Sequence, residues 1–153
     1  MTPHVFHALY LLFACLGKHT KIEADYTLPS TWTDAVLIED MKQTSCNEDI
    51  TQILESVPKA STNFQNNNIV INYPNAHFRC DQNVQAFVKQ TTNGYAVLIQ
   101  PTEMNPMWVA KCDCGYNLET TILNAKSKEL RLFHRRDNFG KDSIIREIQI
   151  ESK

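Results

Sequence analysis

The chain has 153 residues and a formal net charge of −2, from 15 Lys and Arg against 17 Asp and Glu, so it carries no global field to gather nucleic acid or an anionic membrane. A hydrophobic fraction of 42% is enough for a core, and only 4 Gly excludes collagen-like and Gly/Ser-linker classes. The length fits one domain of ordinary size preceded by a tether.

Val5 to Leu16 (VFHALYLLFACL) is apolar apart from His7 and free of formal charge. Its length suits the apolar core of a signal peptide and is too short to span a bilayer of ~30 Å as a helix. Leu12-Phe13-Ala14-Cys15 resembles the bacterial lipobox, in which a small residue before Cys admits the peptidase and the Cys sulfur receives a diacylglycerol. Residues 1–14 are expected to be a signal peptide and Cys15 the lipid-modified first residue of an exported form. Cysteine parity leans the same way: with Cys15 lipidated, Cys46, Cys80, Cys112 and Cys114 remain, an even number suited to two disulfides in an oxidising compartment. Despite many Asn residues there is no N-x-S/T sequon, which favours a bacterial secretory origin. Leu16 after Cys15 would favour the outer membrane in a Gram-negative cell.

Residues 15–34 are expected to hold the lipid and act as a flexible tether, since Lys18 to Ser30 (KHTKIEADYTLPS) is polar and aperiodic. The domain then runs over 35–153, opening with Ala35 to Ile38 as an edge strand or a lid on the core. Ser45-Cys46-Asn47-Glu48 fits a capping box, and Ile50, Ile53, Leu54 and Val57 recur at helical spacing before Pro58, which predicts a short helix over about 46–57.

After a polar stretch from Ser61 to Asn68 the pattern changes to period two. Ile69 and Ile71 share a face, as do Ala76, Phe78 and Cys80, and then Val84, Ala86 and Val88. Thr92-Asn93-Gly94 signals a type I′ hairpin joining Val84–Gln90 to Tyr95–Gln100. Met107–Cys114, Tyr116–Leu123, Leu130–Arg135 and a last strand through Ile144, Ile148 and Ile150 follow, with a turn at Asp137 to Lys141. Strands with short turns after one helix predict a mainly β protein, a small antiparallel β-sandwich with one short N-terminal helix.

Asn75-Ala76-His77-Phe78-Arg79-Cys80, followed by Cys112-Asp113-Cys114-Gly115-Tyr116-Asn117-Leu118, resembles a pattern in small exported bacterial lipoproteins, many from Bacteroidetes. The resemblance covers roughly residues 68–123. It implies a secreted, disulfide-stapled β-sandwich of generally unassigned role, and it carries over no catalytic residue. This chain has a single Cys80 where a Cys-Cys pair is frequent in that group.

Cys112 and Cys114 stand at i and i+2, so on a strand their thiols share a face about 7 Å apart and do not easily bond each other. Strand geometry favours two separate bridges, each joining Cys112 or Cys114 to Cys46 or Cys80, which leaves two connectivities open; the alternative is one disulfide with two free thiols. Oxidising export and the absence of C-x₂-C spacing argue against a metal centre, so no metal or cofactor is assigned. The nucleophile-elbow, zincin, P-loop and dinucleotide signatures are absent. His77 and His134 are expected to be ordinary strand residues, and Glu103, Asp113 and Glu119 to face water. No catalytic residue is assigned.

Lys126, Lys128, Arg131, Arg135, Arg136 and Lys141, against Glu129, Asp137 and Asp142, form the one local charge bias, a candidate contact for anionic head groups or an acidic partner. The expectation is a cell-envelope lipoprotein acting as a non-enzymatic binding or structural module. Its partners would be the membrane, through lipid on Cys15, and an envelope protein, with no nucleic acid. The alternatives are a thiol-disulfide oxidoreductase using Cys112 and Cys114, and a secreted inhibitor.

Overall fold

A computed structural model describes residues 28–47, 58–80, 82–102, 112–136 and 145–152. Nine strands carry the described chain: β1 (Val36–Ile38), β2 (Met41–Gln43), β3 (Lys59–Gln65), β4 (Asn68–Arg79), β5 (Val84–Gln90), β6 (Tyr95–Pro101), β7 (Asp113–Ile122), β8 (Leu130–Arg135) and β9 (Ile145–Ser152). They form one sheet in the order β1-β5-β6-β8-β9-β3-β4-β7-β2. Every ladder is antiparallel except β6 with β8 and β3 with β9. The two ends of the sheet are therefore β1 and β2, which only Glu39 and Asp40 separate in sequence. A sheet whose ends are so tied must curl, and the result is nearly a barrel.

The seam between the ends is bridged by one side chain. Gln43 on β2 donates from Nε2 to the Gln82 carbonyl at 2.8 Å and accepts the Val84 N–H on Oε1 at 2.9 Å. Its amide thus satisfies edge groups beside β5 that a further strand would otherwise pair. Here the structure corrects the expected antiparallel two-sheet sandwich. Period-two patterning tells which residues face a core, but a sandwich and a curled sheet share that pattern, and the parallel pairings leave no trace in it. The expected helix over 46–57 falls mostly outside the described residues; within them Cys46 and Asn47 are not helical, and Asn47 makes a β-bridge to Gly115.

Inside the curl, Ile69, Ile71, Tyr73, Ala76 and Phe78 of β4 pack with Val97, Ile99, Leu118, Ile122 and Leu132. The inward phase on β4 moves from odd to even numbers at a bulge, where the register with β7 shifts between Tyr73 and Ala76. Asn75 takes a positive φ of 52° there and donates its N–H to the Asn117 side chain at 3.1 Å. Pro74 fits such a point because it has no ladder N–H to lose.

On the outer face of β5, β6 and β8 a second apolar cluster joins Phe87, Ala96, Leu98 and Phe133 to Trp32. Trp32 sits at the end of a 3₁₀ turn (Ser30–Trp32), meets Phe133 edge-on at 5.4 Å between centroids, and lies under the Lys89 ammonium at 4.6 Å. An aromatic of that size, only 4% exposed, contributes about 3 kcal/mol of burial. The folded domain thus begins before residue 35, and the segment expected to be a tether through residue 34 supplies its lid. Two-sided burial also explains why Tyr95 to Ile99 reads as an unbroken apolar run.

The hairpin expected at Thr92-Asn93-Gly94 forms, but not as a type I′ turn. Gln90 pairs with Tyr95 across a four-residue loop, and Asn93 is not among the residues of positive φ. The two-residue loop with positive φ at both positions lies elsewhere, at Asn66 (50°) and Asn67 (60°), and joins β3 to β4. Gly94 serves close approach instead. A Cβ there would stand 2.2 Å from the Glu129 carbonyl oxygen, next to the bond that this oxygen accepts from the Tyr95 N–H. Gly94→Ala is expected to force the two backbones apart and lower stability by about 2 kcal/mol, measured by urea denaturation. An unchanged midpoint would contradict that contact.

Candidate functional site

The candidate site is the end of the barrel where β4 finishes and β7 begins. β7 lies between β4 and β2, and its first residues are bonded to both neighbours. Cys80, just past β4, lies across from Cys112, donates its N–H to the Cys112 carbonyl at 3.0 Å, and forms a disulfide with Cys112 at a Cα separation of 5.5 Å. On the other side Cys46, just past β2, forms a disulfide with Cys114 at a Cα separation of 5.2 Å. The Asn47–Gly115 bridge, with bonds of 3.0 and 2.9 Å, sets that approach. Of the two connectivities left open by strand geometry, the structure has Cys46–Cys114 with Cys80–Cys112. Cys112 and Cys114 belong to different bridges and are not a bonded vicinal pair.

Asp113, between the two bridged cysteines, faces outward and collects charge. Arg136 donates to its Oδ1, and His77 Nε2 lies 3.4 Å from its Oδ2. All three are partly exposed, so the cluster fixes the strand ends more than it stabilises them. Behind it, inside the barrel, His134 is buried, shares a 3.1 Å hydrogen bond between Nδ1 and the Tyr73 hydroxyl, and stacks on Phe78 at 4.3 Å. Burial pushes this imidazole down to about 4, and His77 and the Arg136 and Arg146 cations push the same way against a hydrogen bond to the His77 backbone. Burial alone raises the Tyr73 hydroxyl. The pair is a neutral polar plug in an apolar interior.

A groove of about 400 Å³ lies near this end on the outer face of the sheet, lined by Lys42, Thr44, Ser61, Asn72, Asn117 and Glu119 among others. Register explains its make-up: Ser61, Asn72, Glu119 and Lys42 stand opposite one another across β3, β4, β7 and β2. Lys42 donates to Glu119 at 2.6 Å, a bond that raises the ammonium pKa. Pro74, Leu118 and Tyr73 also line it and its exposed surface is mostly apolar, so the groove suits a ligand with an apolar part and a few hydrogen-bonding groups.

The basic residues do not assemble into one face. Arg131 makes a two-pronged bond to Glu147 at 2.8 and 2.7 Å, Arg136 is paired with Asp113, and Arg135 is buried with a 3.1 Å bond to Gln100. Arg131 and Arg136 also lie at opposite ends of β8, about 17 Å apart. Lys126 and Lys128 are exposed, Lys128 with its ammonium 5.0 Å from the Phe64 ring, and Lys141 is outside the described residues. Of the three carboxylates expected to face water, Asp113 and Glu119 are paired and Glu103 is outside the described residues. His77 is partly exposed and His134 buried; Gln43 at the seam carried no sequence signal that could be read. Comparison with protein-family models, with curated proteins and with solved structures gives no match.

Between pH 6.5 and 4 the unfolded chain takes up a proton at His134 that the folded chain refuses. Stability is therefore full above pH 6.5 and falls toward pH 4, by about 3 kcal/mol from this group. Denaturation at stepped pH is expected to show the loss in the parent and a flatter profile in His134→Phe. Parallel profiles would place the titrating group elsewhere.

Proposed function

We propose that the chain is an exported cell-envelope lipoprotein whose domain is a non-enzymatic binding module. The observation that carries this reading is the use of the cysteines: Cys46, Cys80, Cys112 and Cys114 are all spent on cross-strand bridges, as in proteins that mature in an oxidising compartment. A chain-entropy estimate for loops closed across 32 and 68 residues gives about 4 kcal/mol for each bridge. Such staples make a rigid platform and leave no free dithiol for exchange chemistry.

Residues 1–14 then act as the signal peptide, and Cys15 carries the lipid that holds the domain at the membrane. Leu16 directs the lipoprotein to the outer membrane of a Gram-negative cell. The resemblance to Bacteroidetes-type lipoproteins agrees with this placement, although the domain is a curled mixed sheet and not the sandwich that the resemblance implied. Recognition uses the groove over β2, β3, β4 and β7, and its ligand is an envelope component that offers apolar surface together with a few hydrogen-bonding groups. Of the described residues in the expected basic patch, Lys126 and Lys128 are the exposed ones outside an ion pair and available to an anionic surface.

Expression in a bacterium fed labelled palmitate is expected to label the protein and place it in the membrane fraction, with both lost in Cys15→Ser. A mature N-terminus beyond residue 15, or unchanged fractionation of Cys15→Ser, would reject lipidation.

A further inference from the structure

We infer that the fork between β8 and β9 is a peptide-binding edge, which takes an extended segment of a partner protein as an added strand. The observation is a ladder that stops while both of its strands go on. β8 and β9 pair from Arg135 with Ile145 to Leu132 with Ile148. Beyond that point β8 still has Leu130 and Arg131, paired with Tyr95 and Ala96 of β6, while β9 runs on through residues 149–152 against β3 on its other side. An unbroken antiparallel register would set Arg131 opposite Gln149 and Leu130 opposite Ile150. Instead an opening of about 460 Å³ lies there, lined by Leu130, Arg131, Glu147, Ile148, Gln149 and Ile150.

A closed barrel leaves no strand edge to pair with another chain, and this opening restores one. N–H and C=O groups along a strand point to its two sides, so those of residues 149–152 that turn away from β3 face the fork. Such a rim recognises main chain first, and reads side chains by their alternation.

The side chains around the fork set that alternation. Leu130 and Ile150 are half-buried and pack against the main core, so an apolar side chain of the added strand fits between them. Arg131, Glu147 and Gln149 are exposed on the opposite face, where polar neighbours in the added strand would lie. Arg131 is already bonded to Glu147, and Lys59 of β3 to Glu151, so neither is the cation that selects charge. Lys128 is. It stands two residues before β8, exposed and outside an ion pair, with its ammonium 5.0 Å from the ring of Phe64, which lies past the last pairing of β3 with β9. The partner is therefore an extended segment with apolar residues at alternate positions and an acidic residue where it passes Lys128. This surface is separate from the groove over β2, β3, β4 and β7, and does not depend on the reading given to that groove.

The test uses the full disulfide-bonded chain and a library of linear peptides displayed on phage, with a disulfide-looped library as the control. Linear peptides with alternating apolar residues and an Asp or Glu are expected to be enriched. A synthetic copy of one should slow amide exchange at Leu130, Arg131 and residues 149–152. N-methylation of every second peptide residue should weaken binding about tenfold at each position, while methylation of the residues between them should leave it unchanged. Lys128→Glu should weaken binding about fivefold and leave thermal unfolding as it was. Absence of enrichment, equal enrichment of looped peptides, protection confined to the β2 and β7 groove, or N-methylation losses without a period of two would overturn the proposal. So would a concentration-dependent dimer that protects the same amides without peptide, since the edge would then belong to a second copy of the chain.

Discussion

The first residues of β7 are held from both sides, and most of the architecture rests on that constraint. β2 contributes only Met41, Lys42 and Gln43 to a ladder, too few to keep an edge strand in place unaided. The Cys46–Cys114 bridge fixes the chain just beyond it, so that β2 stays on β7 and Gln43 stays within reach of Gln82 and Val84. Cys80–Cys112 does the same for the end of β4. With β1 on β5 and β2 on β7 joined by two residues, holding β7 also holds the curl of the sheet.

A curled sheet has to fill its interior, and among the described residues this one does so with apolar side chains, the Thr120 hydroxyl and the Tyr73–His134 pair. Tyr73 and His134 satisfy each other, so the interior accepts them only while the imidazole is neutral. The same end of the barrel carries the disulfides inside and the Asp113 cluster outside. Rigidity is therefore concentrated where β2, β4 and β7 meet, and the groove opens on that stiffened surface. A recognition surface built on fixed strands loses little conformational entropy on binding.

Much of this was legible in the sequence, for physical reasons that also mark where legibility stops. Strands β4, β5, β6 and β8 declared themselves through their apolar residues, whereas Met107–Cys114 and Tyr116–Leu123 read as two strands and the described residues join Asp113–Ile122 into one. The bulge in β4 is visible as Ile69 and Ile71 giving way to Ala76 and Phe78. Strand β3 (KASTNFQ) was hidden, since Ala60 is its only fully buried apolar residue and its outer face is polar. Its Asn66-Asn67 turn was hidden with it, while the stronger Asn93-Gly94 signal formed a different loop because Gly94 must lie against Glu129. Trp32 was an available sign that the domain starts early, being a costly residue to leave in a solvated tether. Strand i, i+2 geometry excluded a Cys112–Cys114 bond, but the choice between the remaining pairings depends on which neighbours β7 has, and local pattern does not encode that. For the same reason the seam made by Gln43 and the groove were beyond reach.

If the bridges to both neighbours of β7 organise the sheet, their connectivity is the fact to measure. Peptide mass spectrometry of the unreduced protein, digested after alkylation, should recover Cys46 linked to Cys114 and Cys80 linked to Cys112. A Cys46–Cys80 or Cys112–Cys114 peptide would contradict the arrangement, as would alkylated thiols at these four positions.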